Sequence, residues 1–164
     1  MKSRLSKLLL IGSLALNATL LALFAGGAPV RESRADVGAG VTEELVPYME
    51  ILQHLSHKLG LSIQAKNEPL ASFYLEEINE TVALVRKKFP VYDKQEIASL
   101  AGAMFVPQIE PLRKAVKARN WVITNAGYTK MIDSCNDCHA ATDHEFIEIT
   151  APTTNPFNQT FSQP

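Results

Sequence analysis

Downstream of residue 41, apolar residues recur every three or four positions almost without interruption, which is the spacing of one helical face. The first such stretch carries Leu45, Met49, Leu52, Leu55, Leu59 and Ile63. Thr42 can cap it, with Glu43 and Glu44 in the first turn; alternatively the regular helix starts with Pro47 in its first position, where a missing N–H costs nothing. Gly60 weakens its later part. Asn67-Glu68-Pro69 breaks the pattern and starts it again, with Asn67 as cap. The second stretch runs through Leu70, Phe73, Tyr74, Glu77, Ile78, Thr81, Leu84, Val85 and Lys88. Its basic end, Arg86-Lys87-Lys88, suits the negative pole of a helix dipole, and Pro90 stops it. Asp93-Lys94-Gln95-Glu96 has the form of a capping box. Ile97, Leu100, Ala101, Met104, Phe105, Leu112 and Val116 follow, with Pro107 and Pro111 expected to bend or interrupt the helix. Asn120 caps the fourth stretch: Trp121, Thr124, Tyr128, Met131, Ile132, Cys135 and His139.

Short connections between four helices of similar length predict an all-α fold, an antiparallel up-down-up-down four-helix bundle over residues 42–144. The tail, 145–164, is irregular: Pro152, Pro156 and Pro164 exclude a long helix. It is either a disordered terminus or a strap in which Phe146, Ile147 and Ile149 pack back on the bundle.

The amino terminus has a different pattern. Lys2, Arg4 and Lys7 precede an 18-residue run from Leu8 to Ala25 that is apolar apart from a few small or polar residues. A signal-peptide core is about 7–15 residues and a spanning helix about 20, so residues 1–27 read as an export signal or as an inner-membrane anchor. Ser33-Arg34-Ala35 and the stretch from Ala25 to Ala28 offer small-residue cleavage sites. No cysteine stands directly behind the run, which excludes a lipoprotein anchor. Residues 28–41 read as a linker, and the basic start directs the body away from the cytoplasm. The formal charge of −1 carries no basic surface for nucleic acid.

Both cysteines of the chain lie in one pentapeptide, Cys135-Asn136-Asp137-Cys138-His139. C-x-x-C-H is the attachment signal of haem c. On a helix, two intervening residues put the thiols about one turn apart, as two thioethers to the porphyrin vinyl groups require. His139 falls four residues after Cys135 on the same face, ready to ligate the iron. Haem c is attached outside the cytoplasm, so motif and export segment agree on a periplasmic location. Two other chemistries fit the residues: zinc held by Cys135, Cys138, His139 and His144, and a redox or structural disulfide, either of them in a helical binding module.

A four-helix bundle with C-x-x-C-H near the end of its last helix resembles the cytochrome c′ family and its six-coordinate relatives. The resemblance covers residues 42–144 and rests on the helix count and on Cys135, Cys138 and His139. It implies one covalent haem held by the two cysteines, His139 as proximal ligand, and a homodimer. Family members often carry a basic residue shortly after the histidine; here the nearest is His144. The sixth iron position decides the activity. In such a bundle the first helix faces the last, and Met49, on the stripe Leu45-Met49-Leu52, is the candidate ligand. His54 and His57 are rivals, but lie roughly 7–12 Å further along the helix axis. Ligation by Met49 suits one-electron transfer between redox partner proteins. An open apolar face would instead bind NO or CO. A peroxidase would need a distal acid–base group, which the sequence does not offer at that depth, so the chain reads as a carrier and not an enzyme.

Overall fold

Pro47 decides where the first helix begins. In the computed structural model, which describes residues 44–163, helix α1 spans Val46–Gln64 with Pro47 in its first turn. The export or anchor segment, the linker and the Thr42 cap lie outside the described residues. No helix among the described residues is long and apolar enough to cross a membrane.

Just past the end of α1, Lys66 with φ 54° reverses the chain, and the Asn67 N–H closes the helix end on the Ser62 carbonyl at 2.9 Å. Asn67 then caps α2, Glu68–Lys88, accepting the Leu70 N–H at 3.3 Å, as its sequence position predicts. The same device recurs later. Arg119 has φ 53°, the Asn120 N–H reaches the Ala115 carbonyl, and Asn120 accepts the Ile123 N–H to cap α5, Trp121–Ala141. Ala-Lys-Asn and Ala-Arg-Asn thus build two matching connectors.

The third stretch splits in two. α3, Ile97–Met104, ends at Phe105, and α4, Val106–Lys117, begins there with Pro107 in its first turn. Pro107 supplies the interruption, while Pro111 is accommodated inside α4. The capping box is corrected. Asp93 and Lys94 have φ of 47° and 67° and form a two-residue turn closed by paired bonds between Tyr92 and Gln95. Asp tolerates the left-handed region, and the turn uses it before α3 can start.

The result is an all-helical bundle in which consecutive elements pack together and α5 closes the ring on α1. No strand forms among the described residues. Leu59 and Ile63 of α1, Leu75 and Ile78 of α2, Leu112 and Val116 of α4, and Met131 of α5 are among the side chains that form the main core. Leu45, Val85, Phe89 and Ile97 make a second cluster, on which Tyr48, Met49 and Tyr92 pack; Leu52 touches both clusters. On α2 the buried face is Ala71, Tyr74, Leu75, Ile78, Val82 and Val85, so Phe73 and Leu84 are exposed. Two apolar stripes one residue apart fit this helix, and the position of its neighbours selects between them.

The tail is a strap and not a loose end. It has no regular structure, yet Phe161 is buried in the main core and Ile149 and Phe157 pack against it. Phe146, 77% exposed, and Ile147 do not pack as expected; the burying residues lie further on, where the chain returns over α1 and α2.

Candidate functional site

The core stripe of α5 (Thr124, Tyr128, Met131 and Ile132) continues at the same spacing to Cys135 and His139. The motif therefore lies on the last two turns of the helix. Asp143, φ 61°, ends that helix, and the His144 N–H closes it on the His139 carbonyl at 2.8 Å. Cys135 is half-buried against the main core and its thiol points to the Met131 carbonyl at 3.4 Å. Burial pushes the Cys135 thiol up to about 12, and the neighbouring Cys138 adds to the rise. Burial also raises Cys138. Both are free thiols. They stand near the negative end of a helix dipole, the opposite of the positive end that makes a cysteine reactive.

His139 is anchored from outside the bundle. Its Nδ1 lies 2.7 Å from the Ile147 carbonyl oxygen. A carbonyl only accepts, so Nδ1 carries a proton, and in the neutral ring Nε2 keeps its lone pair. Next to it, Asn136 grips the strap twice: its Nδ2 donates to the Ile149 carbonyl at 3.0 Å and its Oδ1 accepts the Ile149 N–H at 2.8 Å. Asn136 occupies a variable position of the motif, and nothing in the sequence points to it, because its partner is irregular chain.

Tyr128 marks where α5 meets α1. Its hydroxyl donates to the Ser56 carbonyl at 3.0 Å, and burial, followed by the nearby Cys135, pushes its ionisation to higher pH. Gly60 sits beside it: a Cβ there would lie 2.6 Å from both the Pro152 ring and the Tyr128 hydroxyl. The absent side chain is what lets strap and α5 approach α1 together.

The remaining candidates separate. Met49 is half-buried on the second cluster, whereas Cys135 packs on the main one. His54 and His57 both turn to the strap: their rings stand edge-on to Phe157 at 4.6 and 5.2 Å, and His57 Nε2 donates to the Thr154 carbonyl at 3.0 Å. Met131 is a core residue, as its position on the stripe predicts. His144 donates through Nδ1 to the Thr142 carbonyl and lies beside the ring of Phe146. Among the described residues, no three His, Cys, Asp or Glu side chains come together as a metal-holding group.

The donor set suits a haem c better than a bare ion. The porphyrin brings four nitrogens of its own, so the chain needs only two reduced thiols and an imidazole with a free Nε2, all of which are present. No protein family, curated protein or solved structure matches the chain.

Proposed function

We propose that this chain is an exported c-type cytochrome of the four-helix, cytochrome c′-like kind, passing single electrons between periplasmic partner proteins. Cys135 and Cys138 would attach one haem and His139 would ligate its iron. The observation that carries this reading is the His139–Ile147 bond beside two free thiols. A metal-bound histidine characteristically donates its other ring N–H to a carbonyl or carboxylate, and His139 has that arrangement.

Three-residue connectors reverse the chain between α1 and α2 and between α4 and α5, which supports an antiparallel up-down-up-down order. The bond from Tyr128 to Ser56 then sets the level of α5 on α1. Seven residues toward the end of α5 is Cys135; seven toward the start of α1 is Met49. At equal rise the two share a depth, and side chains lean toward their own helix N-terminus, which brings His139 and Met49 toward one level. Met49 is our proposed sixth ligand.

When bound, the haem supplies the one-electron couple. Cys135 and Cys138 would hold it at two points, the Ile147 carbonyl would orient the His139 imidazole, and apolar residues of α1 would shield it from water. A second reading, a five-coordinate NO- or CO-binding protein, draws on the packing of Met49 in the second cluster, where the side chain already has apolar partners.

Visible spectra and intact mass of the protein matured in a host that attaches haem c decide between these. We expect one covalent haem and a low-spin spectrum with a methionine–iron charge-transfer band, converted to high spin by Met49→Ala. A high-spin reduced form that takes up CO selects the gas-binding reading. A mass matching bare polypeptide refutes both. His139→Ala should lose normal iron ligation.

A further inference from the structure

We propose that Asn136 is a positioning residue for the iron ligand, acting on His139 through the C-terminal strap. The inference rests on the haem reading above and deepens it.

The strap from residue 142 to 149 is held to α5 at both ends and turned on itself in the middle. The His144 N–H bonds the His139 carbonyl at 2.8 Å where α5 ends. The Ile147 N–H bonds the His144 carbonyl at 2.9 Å in the middle. Asn136 bonds both backbone groups of Ile149 at the far end. The Ile147 carbonyl, acceptor of the His139 N–H, lies between that turn and the Asn136 contact. Its position is therefore set by the same helix that carries the histidine.

Asn136 and His139 are three residues apart and share a side of α5, so one turn of helix reads two strap positions, Ile149 and Ile147. An amide is required for this task. It presents one donor and one acceptor in a plane, as a neighbouring strand would, and matches the Ile149 N–H and C=O together. A hydroxyl or a carboxylate cannot offer that pair in the same plane.

The consequence falls on the imidazole. A fixed carbonyl on Nδ1 holds the ring in one rotation and one tautomer and makes Nε2 a stronger donor. A stronger donor favours oxidised over reduced iron. Releasing the strap should weaken the donor and raise the potential, without touching either attachment cysteine.

The test uses the matured full-length protein. Asn136→Ala should keep the haem and the helical circular dichroism, speed hydrogen exchange at the Ile149 amide, and raise the midpoint potential. Loss of an outer partner changes metal-site equilibria by about tenfold or more, which for one electron is about 59 mV. Asn136→Ser, which keeps one weaker contact, should fall between. Faster exchange with an unchanged potential would overturn the proposal. So would an Ile149 amide already unprotected in the wild-type protein, a measurement that needs no variant. Failure of the haem reading itself is separately visible, as wild-type protein with no covalent haem.

Discussion

The bundle and the strap are held by opposite means. Helices satisfy their backbone internally and meet through apolar stripes, so Leu59, Leu75, Leu112 and Met131 can pack with almost no polar traffic between them. The strap has no internal ladder, and its carbonyls need partners. Helix side chains provide them: His139 for Ile147, Asn136 for Ile149, Gln64 for Pro152, His57 for Thr154 and Asn67 for Phe161. Irregular chain can thus be as well determined as a helix, provided another element spends its polar side chains on it. The candidate site lies where the two regimes meet, with Cys135 against the bundle and the His139 imidazole tied to the strap.

Leu112→Ala and Phe161→Ala remove side chains that are 0% and 6% exposed, one from the bundle and one from the strap. Each should cost about 3 kcal/mol in denaturant unfolding. A strap that merely lies on the surface would leave the second below about 1 kcal/mol. Asn67 serves both regimes, capping α2 through Oδ1 and holding Phe161 through Nδ2. Its replacement by Ala should cost about 2 kcal/mol, roughly 1 for the cap and 1 for the buried bond. Gly60→Ala sharpens the contrast through its sign. Helix propensity alone predicts a gain of about 1 kcal/mol, but the Pro152 and Tyr128 contacts predict a net loss of about 1–2 kcal/mol. The double variant Gly60→Ala with Pro152→Ala should recover part of that loss. The smallest effect is expected within the bundle's own connectors. Lys66→Gly and Arg119→Gly relieve a left-handed residue and should each add about 0.5 kcal/mol of stability after the unfolded-state entropy of glycine is counted, seen as a slight rise in the thermal midpoint.

Much of the bundle was legible from spacing. Asn67, Asn120, Pro47 and Pro107 act where a cap, a start or a break is expected, because each acts on its own few neighbours. The reading failed where two local solutions compete. Asp93 suits a cap and a tight turn equally, and the turn won because Lys94 joins it in the left-handed region. The apolar spacing of α2 runs through Phe73 and Leu84, yet Ala71 and Leu75 belong to the buried face, since a helix with apolar residues on adjacent stripes does not reveal which one meets a neighbour.

By itself, then, the sequence determined the helices, their breaks and the spacing of Cys135, Cys138 and His139 along one face, because these depend on bonds and contacts within a few residues. Only the tertiary structure decided the course of the strap, the partner of His139, the role of Asn136 and the need for Gly60. Those rest on pairs such as Asn136 with Ile149 and Gly60 with Pro152, joined by a chain path that has no period to read.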